Sequence, residues 1–152
     1  MNDYERRFSY RLDSLIRLRS AERDALGSEL ARATRELESR TRQCDEIARA
    51  IDLAETLLRG SRRGGARMAV DEELRMQAYL AQRRRERDVR QRERDEAARV
   101  VDKALAELQA KSRDTMALEA HRDRQRRRFD GEQARVALNS ADDRWLGRKG
   151  RG

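Results

Sequence analysis

Proline is missing from all 152 residues, where average usage of about 5% would place roughly seven. Cysteine occurs once, at Cys44, so no internal disulfide can form and no secreted, stapled framework is implied. Histidine also occurs once, at His121. One Cys and one His cannot supply a zinc ligand set, and no base stands at a readable spacing from a nucleophile. Aromatic residues make up 4% and apolar residues 37%, short of the roughly 45–50% that fills an ordinary globular interior. No stretch approaches the ~18–20 apolar residues of a membrane span. The opening Met1-Asn2-Asp3-Tyr4-Glu5-Arg6 is not followed by the apolar core of a signal peptide. These absences point to a cytoplasmic, non-enzymatic chain with no cofactor, no metal and no membrane span. They also exclude sheet folds and most enzyme classes.

What is abundant is mixed charge. Charged residues reach 43%, with 37 basic and 29 acidic side chains. Residues 1–59 hold 12 of each sign, and residues 68–121 again hold 12 of each. The surplus sits in Arg62, Arg63 and Arg67 and in residues 122–152, which hold 10 basic and 5 acidic groups. Two neutral, charge-laced segments therefore flank a basic loop and precede a basic tail. A polyanion binder would more often carry one continuous basic face. Of the basic residues 34 are Arg and only Lys103, Lys111 and Lys149 are Lys. Arg forks suit phosphate and carboxylate, but a coding bias toward Arg is the better account of the excess. Ala, Leu, Glu and Arg dominate, which is the composition of long helices and coiled coils rather than of disorder.

The apolar residues recur with a helical period. Leu26, Leu30, Ala33, Leu37, Arg40, Cys44, Ile47, Ile51, Ala54 and Leu58 alternate steps of four and three, the pattern of a coiled-coil seam. Leu12 and Ile16 keep the phase upstream, with Arg19 and Arg23 interrupting it. A first helix is expected from about residue 3 to 59. Gly60-Ser61-Arg62-Arg63-Gly64-Gly65 supplies glycines that can end a helix and reverse the chain. A second helix is expected from about 66 to 146, with Asp71, Glu72 and Glu73 near its positive end and a basic tail at 147–152. Its seam is expected to use Leu74, Leu80, Val101, Leu105 and Leu108. The fold expected is all-α: one domain of two long helices forming an antiparallel coiled-coil hairpin, the second helix longer. Reversal at the glycines pairs residue i with roughly 125 − i and sets Leu74 against Ile51. Such a hairpin buries little per residue, so modest stability is expected in the isolated chain.

Several motifs dissolve on inspection. Gly60 to Arg67 lacks the Lys-Ser/Thr and the preceding strand of a phosphate loop, and it reads as a turn. Residues 82–96 carry 12 charges and one apolar side chain, Val89. They fit a solvated helix with i,i+4 ion pairs and Arg stems laid over Leu30, Ala33 and Leu37 better than an anionic groove. As a basic region before a zipper the run is broken by Glu86, Asp88 and Glu93, so nucleic acid is disfavoured as a partner. Aromatics are scarce, which makes Tyr79 and the Trp145-Leu146 pair candidate contacts for other proteins.

Taken together the chain resembles the coiled-coil stalk proteins of type III secretion and flagellar export, the FliJ/YscO group. The resemblance is carried by its size and by the Phe8-Leu12-Leu15 opening. Met76-Gln77-Ala78-Tyr79-Leu80-Ala81 after the turn and the Phe129-Asp130 to Trp145 ending add to it. The opening and the Trp-Leu ending are similar to versions in plant-pathogen systems. The resemblance implies a stalk inside a hexameric secretion ATPase, reaching the cytosolic domain of the export gate and binding secretion chaperones. By matched position it implies that Met76, Tyr79, Leu80 and Arg83 face the gate. Tyr4, Phe8, Leu12 and Trp145, with Arg122, Arg124, Arg126, Arg127 and Arg128, would face the ATPase. A helical nucleic-acid binder and a self-assembling scaffold are the rival readings.

Overall fold

The computed structural model describes residues 7–63 and 69–149. Nearly all of them belong to two helices, α1 (Asp13–Arg63, 51 residues) and α2 (Val70–Lys149, 80 residues), and no strand occurs among the described residues. With no proline to interrupt the backbone ladder, each helix runs as far as its ends are satisfied. The Tyr10 carbonyl accepts from the Asp13 amide at 3.1 Å where α1 begins. The Ala69 carbonyl accepts from Glu72 and Glu73 at 2.9 and 3.0 Å where α2 begins. Asp71, Glu72 and Glu73 lie in the first turn of α2, and Arg62 and Arg63 in the last turn of α1, each sign against the favourable end of the helix dipole.

The element bounds differ from the sequence expectation. Residues 7–10 are non-helical and α1 starts at Asp13, not near Asp3. It continues through Gly60 to Arg63, where a turn was expected from Gly60. Gly60 does not take a left-handed φ and nothing crowds its Cα, so it costs helix propensity without stopping the helix. Residues 64–68, which include Gly64 and Gly65, lie outside the described residues.

The chain divides into two compact units. In the unit formed by Ala25–Leu108, α1 and α2 pack antiparallel through the heptad seam. Its core is the cluster Ile47, Ile51, Ala54, Leu58 and Leu80, with Met76 packed against it. Cys44 is buried one step further along. Leu26, Leu30 and Leu37 are half-buried, as are Val101 and Leu108. Interhelix hydrogen bonds fix the register. Arg40 donates to Glu93 at 2.9 Å, Arg90 to Gln43 at 3.4 Å and Arg84 to Glu55 at 2.7 Å.

That register corrects the expected one. Residue numbers 40 and 93, like 43 and 90, total 133, not about 125, and the shift moves two seam assignments. Leu74 is 59% exposed and does not face Ile51, which packs with Leu80 instead. Leu105 is also exposed while its neighbour Ala104 is half-buried, so the seam passes through Val101, Ala104 and Leu108. The Arg-rich run faces Arg40, Gln43, Ile47 and Ala50 rather than Leu30, Ala33 and Leu37.

The seam continues unbroken through that run. Positions 76, 80, 83, 87, 90, 94, 97, 101, 104 and 108 alternate steps of four and three, and every one of them is buried or half-buried. Four consecutive seam places are therefore arginines: Arg83, Arg87, Arg90 and Arg94. Arg stems cover apolar surface while the guanidinium reaches the rim. Each head here finds a carboxylate: Arg83 on Glu86, Arg87 on Asp88, Arg90 on Glu93, Arg94 on Asp95.

The second unit comprises Met1–Asp24 with Gln109–Gly152. Here Ile16 and Thr115 are buried, and Thr115 donates its hydroxyl proton to the Lys111 carbonyl at 2.9 Å. That bond satisfies a fully buried polar group within its own helix. Lys111 reaches Glu22 at 2.8 Å, and Arg19 reaches the same carboxylate oxygen at 3.1 Å.

Candidate functional site

Two surfaces stand out among the described residues. The first lies in the unit of Ala25–Leu108, near the end of α1 and the start of α2. Of the four residues expected to face a gate, Leu80 is only 5% exposed and belongs to the core cluster. It is spent on pairing the helices and is not a contact surface. Met76 is half-buried against the same cluster. Tyr79 is 38% exposed, and the Arg83 guanidinium sits 5.2 Å from its ring centroid. That cation–π contact, with Arg83 also bonded to Glu86 at 2.7 Å, holds the phenol ring against the flank of α2.

Two residues that the sequence reading passed over belong to the same flank. Glu46 and Ala50 of α1 line one groove with Arg83 and Glu86 of α2. One heptad toward the turn, the same positions are Leu53, Leu57 and Tyr79. Leu53 is 64% and Leu57 52% exposed. An apolar flank is therefore open beside Tyr79, on a molecule that is otherwise laced with charge. The opposite flank is ion-paired, Glu55 to Arg84 and Arg62 to Glu73 at 3.1 Å. The Arg84 hydrogen bond and charge hold the Glu55 carboxyl below its ordinary value. The signal that could have found Leu53 and Leu57 is their spacing of four on a face displaced from the seam.

The second surface lies in the other unit. Residues 7–12 form a non-helical strap laid along α2 where α1 has not yet begun. Phe8 meets Phe129 with ring centroids 5.6 Å apart and planes at 53°. Tyr10 is buried, and with the imidazole proton on Nε2 its hydroxyl donates to Nδ1 of His121 at 2.6 Å. The two rings also pack at 5.7 Å. Phe8, Tyr10 and Leu12 border an open cleft of about 680 Å³ with His121 and Gln125. Phe8 is thus occupied within the chain, whereas Leu12 stays exposed. Tyr4 lies outside the described residues.

Beyond the strap α2 carries a collar of arginines. Arg122 approaches Asp13 and Asp123 at 3.9 Å, and Arg126 approaches Asp130 at 4.0 Å. Arg124, Arg127 and Arg128 are exposed and make no ion pair among the described residues. The seam arginines Arg83, Arg87, Arg90 and Arg94 are engaged, whereas the collar carries three arginines within five residues that no carboxylate among the described residues offsets. From Asp130 to Leu146 every residue but Ser140 is exposed, including Val136, Leu138, Trp145 and Leu146.

Among the described residues no group of three or more His, Cys, Asp or Glu could hold a metal, and no helix is long and apolar enough to cross a membrane. No curated protein and no solved structure matches the chain significantly. A family model does. The model described as "Flagellar FliJ protein" matches residues 8–143. It spans from Phe8 at the strap almost to Trp145 and takes in both helices, the Tyr79 flank and the arginine collar. The chain belongs to the FliJ family.

Proposed function

We propose that this protein is the non-catalytic central stalk of a type III protein export system. It joins the hexameric secretion ATPase to the cytosolic domain of the export gate, at the cytoplasmic face of the membrane-embedded apparatus. The observation that carries the reading is the family match over residues 8–143, on a helix pair whose two units each leave one unsatisfied surface. The arginine collar Arg122–Arg128, with Leu12 and the exposed Trp145 end of α2, is assigned to the ATPase. Charged rims of this kind give fast, salt-sensitive association. The apolar flank of Leu53, Leu57 and Tyr79, edged by Met76 and Arg83, is assigned to the gate. Secretion chaperones are further partners of the same flank.

The test separates the two surfaces. Changing Arg126, Arg127 and Arg128 together to Glu removes three attractions and adds three repulsions. At about 0.5 kcal/mol for each of the six altered interactions, ATPase capture falls roughly a hundredfold, and less so at high salt. Tyr79→Ala leaves ATPase capture intact and lowers binding to the gate domain. Equal ATPase capture by the charge-reversed protein refutes the first assignment. Loss of ATPase capture by Tyr79→Ala refutes the second.

A further inference from the structure

The apolar residues of the exposed end of α2 are not scattered. Ala134, Leu138, Ala141 and Trp145 follow in steps of four, three and four, the spacing of a coiled-coil seam. All four are exposed, Leu138 by 66% and Trp145 by 57%. This stripe does not continue the seam that α2 shares with the rest of its unit. Ala134 stands nine residues beyond Gln125 and Leu138 nine beyond Phe129, which is two and a half turns at 3.6 residues per turn. Gln125 and Phe129 face the strap, so the stripe lies on the side of α2 turned away from it.

Along the stripe small and large residues alternate, a pattern complementary to its own reverse. Set antiparallel against a second copy, with facing residue numbers totalling 279, Ala134 meets Trp145 and Leu138 meets Ala141. Both layers recur by the two-fold symmetry of such a pair. Each of the four layers then sets a large side chain on an alanine, which fills the space between the helices without crowding it. The residues that flank this seam on one side are Arg135 and Asp142. In this alignment Arg135 of each copy lies beside Asp142 of the other, opposite charges meeting twice. Both side chains are exposed, and neither makes an ion pair of its own among the described residues.

The charges also select among alignments. A slide of one heptad either way leaves two apolar layers instead of four. One slide sets Arg135 against Arg135, and the other sets Asp142 against Asp142. The first also brings Asp130 toward Arg144, but Arg126 already approaches Asp130 at 4.0 Å and Arg144 donates to the Ser140 carbonyl at 3.1 Å. A parallel pair would stack Trp145 on Trp145 and lay the two arginine collars side by side. In the antiparallel pair the collars lie about 40 Å apart along the axis at 1.5 Å per residue, several times the ~8 Å over which charge is screened.

We propose that residues 134–145 of α2 form a self-association surface through which two copies of this chain pair antiparallel. The surface is small, so the pair is weak and reversible, and a second copy seated there excludes any other partner of the Trp145 end. The inference concerns this end of α2 and stands whether or not the ATPase assignment holds.

Analytical ultracentrifugation of the full chain over a concentration series reads the pairing as a reversible monomer–dimer equilibrium. Arg135→Asp leaves two carboxylates facing each other at both flanks, and Asp142→Arg leaves two guanidinium groups there. At a factor of about two to three for each attraction lost and each repulsion gained, either change raises the dissociation constant about thirtyfold. Mixed in equal amounts, the two variants pair with each other as the parent pairs with itself, because each supplies the charge that the other lacks. The chain carrying both changes pairs with itself again. A parent chain that stays monomeric throughout overturns the inference, as does undiminished self-association of Asp142→Arg. Failure of the two variants to pair on mixing overturns it too, because the flanks then do not meet as described.

Discussion

Truncating Leu80 and Leu74 separately tests the seam at two leucines that lie six residues apart on one helix. Leu80 packs among Ile47, Ile51, Ala54 and Leu58 and is 5% exposed, while Leu74 is 59% exposed. Leu→Ala removes the equivalent of about three methylene groups, each stabilising by about 0.8 kcal/mol when buried. That gives about 2.4 kcal/mol at Leu80. A further cavity penalty is small here, because a core one layer deep between two helices is open at its flanks and can collapse. The expected loss for Leu80→Ala is therefore about 2 to 3 kcal/mol, and for Leu74→Ala within about 0.5 kcal/mol. Urea titration followed by helical circular dichroism measures both, with the midpoint falling at unchanged slope. Equal losses at the two sites, or the larger loss at Leu74, would refute the seam described above.

Three further outcomes follow from the polar contacts. Tyr10→Phe keeps the ring packing but deletes the bond to His121, and it should cost about 1 kcal/mol; thermal melts of the two proteins compare them, and no change would mean that ring packing holds the strap without that hydrogen bond. The hydrogen bond from Lys111 holds Glu22 below its ordinary carboxyl value of 4.5, as Arg84 does Glu55. Because these folded-state values are depressed, the stabilisation is fully present above about pH 4.5 and is lost as pH falls through the lowered values; melting temperature should be flat near neutrality and decline below pH 4.5, and Glu22→Gln with Glu55→Gln should flatten that decline. Finally, Arg84→Ala should cost no more than about 1 kcal/mol, and the difference from the parent chain should shrink in high salt, since its pair with Glu55 is exposed.

The fold class was legible because a stripe of alternating three- and four-residue steps survives substitutions at individual places. Arg19, Arg23 and Arg40 interrupt it without hiding it. Register was not legible for the same reason: an apolar repeat of seven looks identical after a slide of seven, and the glycines at 60–65 favoured the shorter alignment. The expected pairing of i with 125 − i is a little over a heptad from the observed one. Leu74 and Leu105 were drawn into the seam by their size, whereas helical geometry places half-buried Ala104 there and leaves Leu105 exposed. The strap was hidden because Phe8, Leu12 and Ile16 keep a helical phase whether or not the backbone is helical. Tyr10 and His121 stand 111 residues apart, and no local pattern links them.

The two surfaces differ in how a sequence encodes them, and that difference explains why one was only half seen. A charge cluster is a local property: Arg122–Arg128 can be read from seven consecutive residues, and its missing counter-charges are near in sequence as well as in space. An apolar flank is not local. Leu53 and Leu57 are ordinary helix residues until the register is known, since only then do they fall beside Tyr79 rather than beside the charged stretch that follows it. Leu80 shows the converse, a residue that a local motif groups with Tyr79 and that the pairing buries against Ile51. In a two-helix protein with so thin a core, every seam position is taken from the pool of surfaces that could meet a partner. The alignment of the helices therefore decides at once what is stable and what is exposed to bind.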